Sequence, residues 1–132
     1  MVVLKGMGLI QAMLLLKNPR QPGHEPVQAE ALVDTGSIFL IIPEHVGLQL
    51  QLDQQGEKEV TLADGSKKMA PYAGPVEVHF KNRVACVGAV VMGDEVLLGA
   101  IPMEDMDLVL LPQQRRAEIN PQNPNFATAR AK

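Results

Sequence analysis

The sequence contains no tryptophan, a single cysteine and few aromatic residues of any kind, which make up 3% of its 132 residues. One cysteine excludes both an internal disulfide framework and a zinc cluster built from cysteines. With so few aromatic side chains, valine, leucine, isoleucine and methionine must form the core. Cys86 itself lies in an apolar, alternating stretch, which favours a buried structural thiol over a reactive one.

The chain has no large excess of positive or negative charge, since its formal net charge is only −3. This gives no electrostatic basis for binding nucleic acid or an anionic membrane surface. Long apolar runs are also missing: Lys5 and Lys17 enclose only the eleven residues 6–16, and a membrane-spanning helix needs about 20. The residues that follow do not form a signal-peptide cleavage site. We therefore expect a cytoplasmic protein with no membrane or nucleic-acid partner.

Patterns typical of metal sites are missing as well. His24, His45 and His79 lie in three separate segments, without the spacing of metal ligands. The acidic cluster 104–107 could hold a cation, but a solvated acidic surface is the simpler interpretation. We expect no metal and no cofactor.

Glycine and proline residues instead divide the chain into short apolar segments, which is typical of strands and not of long helices. The length suits one domain, expected at 8–120. An extension at 1–7 precedes it, and a polar, proline-containing segment at 121–132 is expected to be a flexible tail. Met7 could equally be the natural start.

The order of elements predicts an all-β domain with one or two short helices. Short helical turns are expected at 43–46 and 102–106, each opened by a proline. Residues 38–42 form a continuous apolar run, expected to be a fully buried strand. Asp64-Gly65 predicts a hairpin with a type I′ turn. The predicted strands are 8–16, 27–33, 38–42, 57–63, 67–73, 76–80, 84–87 with 89–92 as a continuation, 96–99 and 109–111.

One short motif carries chemistry. Asp34-Thr35-Gly36-Ser37 follows the apolar segment 29–33, so that a carboxylate lies on a tight turn between two core strands. Gly36 can offer its backbone N–H to the Asp34 carboxylate, Ser37 can donate to its outer oxygen, and the Thr35 hydroxyl can brace the turn. Two carboxylates that share one proton can activate water and polarise a carbonyl together. The chain has one copy of the motif and therefore half of such a pair.

At this point the sequence resembles a known family. The stretch ALVDTGSIFLIIP is similar to the active-site segment of retropepsin-like (retroviral-type) aspartic proteases, particularly their small bacterial and archaeal single-lobe members. VLLGAIPMEDMDLVL resembles the family's hydrophobic-hydrophobic-Gly segment with its short helix and final strand. VTLADGSKKMAPYAGPVEV matches the flap hairpin in position and general pattern. Together the resemblance covers roughly residues 8–112.

The resemblance implies a single-lobe β-barrel or sandwich, half of a pepsin, that forms a homodimer and hydrolyses a peptide or protein substrate as an aspartic endopeptidase. The Asp34 carboxylates of the two subunits would form the catalytic pair. Retroviral dimers interleave their terminal strands, whereas residues 113–120 are too polar here to indicate an interface strand. The implied roles are catalytic for Asp34, Thr35 and Gly36, supporting for Ser37, Leu97, Leu98 and Gly99, and flap or substrate-binding for Ala63, Asp64, Gly65 and Tyr72.

Alternatives stay open on the sequence alone. The Asp-Thr-Gly motif could be a simple turn in a non-catalytic peptide-binding or dimerisation module, or the chain could be active only with another protein. Tyr72 could be a half-buried aromatic residue with no part in binding. For an enzyme, we expect an apolar cleft with Ile38, Ile41, Val90 and Leu98 nearby.

Overall fold

The computed structural model describes residues 9–131, so the expected extension at 1–7 lies outside the described residues. Within 9–131 the chain forms nine β-strands, two α-helices and one 3-10 turn. The strands are β1 Gln11–Lys17, β2 Val27–Val33, β3 Leu40–Ile42, β4 Asp53–Thr61, β5 Lys67–Phe80, β6 Arg83–Val91, β7 Leu97–Leu98, β8 Leu108–Leu111 and β9 Arg116–Ile119. The helices are α1 Glu44–Gln49 and α2 Ala100–Asp105, and the 3-10 turn is Pro112–Gln114.

The strands form one sheet in the order β4-β5-β6-β3-β7-β2-β1-β9-β8. An additional pairing between β1 and β5 closes six of them, β5-β6-β3-β7-β2-β1, into a barrel. β4 extends the sheet beyond β5 as a hairpin, and β9 and β8 extend it beyond β1. The expected all-β single-lobe fold with short helices is confirmed.

Alternating residues of the barrel strands fill its interior, because successive side chains of a strand point to opposite faces. β1 contributes Leu14 and Leu16, and β5 contributes Val76 and Val78, all nearly or fully buried. Helix α1 adds Val46 to the same core, which consists mainly of aliphatic side chains as the composition predicts.

The expectation of one buried strand over 38–42 is wrong at its start. The strand begins at Leu40, and the Ile38 side chain is 59% exposed. The carbonyl of Ile38 accepts the N–H of Ile101 in helix α2, so this residue belongs to the turn and not to the barrel. Val90 and Leu98, expected near a cleft, are both fully buried in the core.

The β4–β5 hairpin exists, but its turn is not type I′. Gly65 alone in this turn has a positive φ, of 86°, whereas a type I′ turn needs two such residues. The Gly65 N–H donates to the carbonyl of Leu62, and the Leu62 N–H donates to the carbonyl of Ser66. These two hydrogen bonds enclose a three-residue loop, 63–65. A three-residue loop with glycine in the left-handed region therefore replaces the expected two-residue loop.

Three further expectations need correction. Cys86 is exposed, because the alternation of β6 turns Ala85 inward and Cys86 outward. Helix α1 does not end at 46 as expected but continues through Gly47 to Gln49. Helix α2 begins at Ala100, two residues before the proline expected to open it, because Gly99 serves as its N-cap.

The polar segment after β8 forms part of the sheet. β9 pairs antiparallel with β8 and meets β1 where Arg116 lies opposite Gln11. Beyond it, the Asp107 carboxylate accepts the side-chain amides of Asn120 and Asn123 and the N–H of Thr128. Residues 120–128 thus contact the body of the domain, and the flexibility expected for 121–132 stays a prediction.

The described part of the chain has neither a membrane-spanning helix nor a cluster of metal-binding side chains. None of its helices is long and apolar enough to cross a membrane. Over residues 9–131, no three His, Cys, Asp or Glu side chains come together as metal ligands would.

Candidate active site

The Asp34 turn is held by hydrogen bonds on both sides of its carboxylate. Oδ1 accepts the backbone N–H of Gly36 at 3.0 Å, and Oδ2 accepts the hydroxyl of Ser37 at 3.1 Å. The Ser37 N–H also donates to the Asp34 carbonyl at 3.1 Å. The local sequence can make this arrangement because the glycine N–H is unhindered and the serine is three residues beyond the carboxylate. The carboxylate is thereby fixed in one orientation.

The segment Leu97-Leu98-Gly99 lies directly against this turn. β7 pairs in parallel with β2, which places Leu98 opposite Val33, and the Asp34 N–H donates to the Leu98 carbonyl at 3.0 Å. β7 also pairs with β3 at Ile41. The two strands that flank the turn are therefore both bound to this short segment.

Gly99 allows the chain after the turn to pass very close. A Cβ at this position would lie 2.7 Å from the carbonyl oxygen of Ser37 and 2.9 Å from the carbonyl carbon of Ile38, with the Phe39 carbonyl oxygen closer still. The adjacent Ala100 N–H donates to the Ser37 carbonyl at 2.8 Å. Glycine is thus required here by close approach of two backbone segments.

The tip of the turn faces outward in the single chain. Thr35 and Gly36 are exposed, and Asp34 is partly exposed. The Thr35 hydroxyl, expected to brace the turn, forms no hydrogen bond with any described residue. A rigid carboxylate at an open surface can act as a proton acceptor, and it leaves space for a second group to face it.

The hairpin tip is a separate structure. Asp64 accepts the Ser66 hydroxyl at 2.5 Å and the Ser66 N–H at 2.8 Å, and these two bonds hold the pKa of the Asp64 carboxyl below its usual value. Ala63 and Gly65 are exposed beside it. No hydrogen bond joins these residues to the Asp34 turn within 9–131.

Sequence reasoning missed a small aromatic cluster at the base of this hairpin. The rings of Phe39 and Tyr72 meet edge to face, with their centroids 5.8 Å apart. The Lys58 ammonium lies 4.7 Å from the centre of the Tyr72 ring and 5.5 Å from that of Phe39. A Cβ on Gly88 would come within 2.7 Å of Tyr72 Cε2 and closer to its Cζ and Oη. The available signal was a glycine inside a strand, which often marks a close approach.

The chain is similar to known proteins in structure but not in sequence. No family model and no curated protein sequence matches the chain. Its structure is similar to that of EIAV protease complexed with the inhibitor HBY-793, with a TM-score of 0.61 over 83% of this chain and 99% of that chain, at 14% sequence identity. It is also similar to the solution structure of simian foamy virus protease, with a TM-score of 0.50 over 70% and 90% of the two chains, at 14% identity.

The chain has the retropepsin-like fold. This confirms the architecture that the sequence motifs implied, and the agreement spans nearly the full length of the EIAV protease. Within the retropepsin-like fold of this chain, Asp34 lies on the turn between β2 and β3, next to β7. The catalytic, supporting and flap roles of individual residues stay predictions.

Proposed function

We propose that this chain is a cytoplasmic aspartic endopeptidase, active as a homodimer in which each subunit contributes Asp34. The observation that carries the proposal is the Asp34 carboxylate itself. It is fixed by Gly36 and Ser37 on an outward-facing turn of a retropepsin-like barrel. Among the described residues, none covers the outer surface of the turn, where Thr35 and Gly36 are exposed. A half-site requires such an open surface, because a second carboxylate must approach it.

The chemistry needs two carboxylates. An ionised carboxylate can take a proton from water while a protonated one donates to the carbonyl oxygen of the peptide bond. Two carboxyl groups in close contact cannot both be ionised, so such a pair shares one proton in the resting state. Its apparent pKa values belong to the pair and not to either residue.

A second copy of the chain is the simplest source of the second carboxylate. The Asp34 motif occurs once in the sequence. A twofold axis close to the turn would bring two Asp34 side chains face to face, and closed twofold dimers are the commonest oligomers. The β4–β5 hairpin would then cover a bound peptide, with Ala63, Asp64 and Gly65 at its tip.

The test is peptide cleavage by the purified full chain, measured by mass spectrometry on a mixture of denatured proteins between pH 3 and 8. We expect new peptide ends with the wild type and none with Asp34→Asn. Asp94→Asn, which changes an exposed aspartate elsewhere, is the matched control and should cleave at the wild-type rate. Cleavage that persists in Asp34→Asn would show that another group, or a contaminant, is responsible.

The alternative is a non-catalytic peptide-binding or dimerisation module with the same fold. It predicts that the wild type forms dimers and retains peptides without producing new peptide ends at any pH. Sedimentation of the wild type and Asp34→Asn, together with the cleavage assay, separates the two functions. If both proteins form dimers and neither cleaves peptides, only the non-catalytic module is supported.

A further inference from the structure

A cavity of about 540 Å³ lies between helix α1, the base of the β4–β5 hairpin and the end of β6. We call it the α1 cavity. Its volume is within the range of about 300–1,000 Å³ that is typical of pockets for small ligands. The Asp34 turn precedes β3, whereas the lining of the cavity includes Glu44, just after β3. The α1 cavity is therefore at the other end of this strand from the candidate active site.

Backbone hydrogen bonds fix the walls of the α1 cavity. The Leu52 N–H donates to the Gly47 carbonyl at 3.1 Å, which ties the chain after α1 back to the helix. The Met92 N–H donates to the Ile42 carbonyl at 2.9 Å, so the end of β6 is held against the end of β3. On the hairpin side, β4 and β5 are paired from base to tip. A ligand would therefore meet a site that is already formed, which lowers the cost of binding.

Apolar side chains line the cavity from all three sides: Leu48, Leu52, Pro71, Val91 and Met92. The Leu48 side chain is 69% exposed, so this wall is in contact with water in the single chain. Contact with an apolar ligand would remove this surface from water, which favours binding.

One carboxylate and one ammonium group line the same cavity. Glu44 belongs to helix α1 and Lys68 to strand β5, so the two charges come from different walls. They do not form an ion pair with each other, and neither side chain has an ion-pair or hydrogen-bond partner among residues 9–131. The adjacent Lys67, in contrast, pairs with Glu59 at 3.7 Å. The cavity is thus complementary to a ligand that carries both charges, one at each end of an apolar body.

We propose that the α1 cavity binds a short apolar peptide with free ends, its α-ammonium group at Glu44 and its α-carboxylate at Lys68. In a free amino acid both charges are attached to one carbon atom, so they cannot reach two separate walls. Each further residue of an extended peptide moves the ends apart by about 3.3–3.6 Å, and its apolar side chains would contact Leu48 and the other apolar walls. The site does not use Asp34, so the proposal does not depend on the enzymatic activity.

Titration of the purified full chain with the dipeptide leucyl-leucine tests this proposal. Backbone amide chemical shifts are followed up to about 10 mM peptide, enough to fill a site with a Kd of about 1 mM. We expect saturable shifts at Gly47, Leu52 and Gly93, which line the cavity. Free leucine, and acetyl-leucyl-leucine amide, which lacks both charges, should bind at least tenfold more weakly. Equal binding of either control ligand, or no shift at these three residues, would overturn the proposal.

Exchange of the two charges tests which groups hold the peptide ends. Glu44→Lys and Lys68→Glu should each weaken binding at least tenfold, because each leaves two like charges in the cavity. Both side chains are exposed, so the variants should fold as the wild type does. The double variant Glu44→Lys/Lys68→Glu again has one charge of each sign and should recover binding, with the peptide reversed.

Lys67→Glu is the matched control for these variants. Lys67 is the neighbouring lysine on β5 and does not line the cavity, so its variant should bind leucyl-leucine as tightly as the wild type. Full binding in both single variants, or a double variant as weak as the single ones, would show that Glu44 and Lys68 do not hold the peptide.

Asp34→Asn separates this site from the proposed enzymatic one. Its α1 cavity is unchanged, so it should bind leucyl-leucine with the wild-type affinity. Loss of binding in this variant, with wild-type shifts confined to 34–37, would place the peptide at the candidate active site and overturn the proposal. A chain that binds the dipeptide in the α1 cavity and cleaves no protein retains this site and loses the enzymatic function.

Discussion

The backbone N–H of Asp34 donates to the carbonyl of Leu98 at 3.0 Å, which ties the candidate catalytic turn to a strand more than sixty residues later in the chain. The neighbouring Gly99 lies so close to the Ser37–Phe39 backbone that a side chain there has no space. The position of the Asp34 carboxylate therefore depends on a glycine far from it in sequence.

Gly99→Ala should destabilise the domain and displace the turn. The added methyl group meets backbone atoms, which cannot rotate away as a side chain can. We expect a loss of about 3 kcal/mol, the upper part of the range for overpacked sites, measured by urea unfolding. Gly56→Ala in β4 is the control, since a Cβ there meets nothing within 4 Å. Equal unfolding midpoints for the two variants would contradict the close approach.

Local sequence was sufficient for the parts of the site that are continuous in the chain. The turn at Asp34 is flanked by apolar runs, and Leu97-Leu98-Gly99 follows it in the order expected for the family, so both segments could be identified. Their contact depends on the parallel pairing of β2 with β7. That pairing depends on the arrangement of the whole barrel. From the sequence, contact between the two segments could be predicted only through the resemblance to a known family.

What the sequence missed was decided by tertiary contacts. Ile38 belongs to an apolar run typical of a strand, yet its carbonyl accepts the N–H of Ile101 in helix α2. It therefore lies outside the barrel, and its side chain is exposed. Cys86 lies in an apolar run, but the register of β6 turns it to the outer face. The cluster of Phe39, Tyr72 and Lys58 joins residues from three separate strands or turns. No periodicity within one segment predicts such contacts.

Gly88→Ala should displace the Tyr72 ring. The new methyl group would overlap the ring, so Tyr72 must leave Phe39 and Lys58. Tyr72 is the single tyrosine and the chain has no tryptophan, so tyrosine fluorescence reports this one ring. We expect a changed emission intensity and a stability loss of about 1–3 kcal/mol.

The double variant Gly88→Ala/Tyr72→Ala provides the control for that overlap. If the ring is the obstacle, adding Gly88→Ala to Tyr72→Ala should destabilise the domain far less than Gly88→Ala destabilises the wild type. Additive losses in the two backgrounds would mean that the clash lies elsewhere.

Ser37→Ala should weaken the proposed activity without unfolding the protein. It removes the hydroxyl that donates to Asp34 Oδ2 at 3.1 Å, whereas the Gly36 N–H remains on Oδ1. A less rigid carboxylate should lower kcat by about tenfold, the equivalent of one hydrogen bond to a charged group. Ser37→Thr keeps a hydroxyl and should recover much of the rate. An unchanged kcat in Ser37→Ala would exclude a positioning role for this residue.

Asp107 should anchor the segment 120–128 in a pH-dependent way. The amides of Asn120 and Asn123 and the N–H of Thr128 hold the pKa of the Asp107 carboxyl below its usual value. A carboxyl whose pKa is lowered by folding stabilises the fold above its unfolded pKa of about 3.9, and this contribution is lost as pH falls through the folded value. Acid should therefore release the segment below about pH 4.

Asp107→Asn tests this anchor with little disturbance of the backbone. Asp107 has a φ of 53°, in the left-handed region that asparagine also tolerates. The variant loses the charge and turns an amide toward donors, so residues 120–128 should exchange their amide hydrogens faster at pH 7. Asp105→Asn, on an exposed neighbour, should leave that exchange unchanged. Equal protection in both variants at pH 7 would mean that Asp107 does not hold the segment, and that its hydrogen bonds contribute nothing to folding in that pH range.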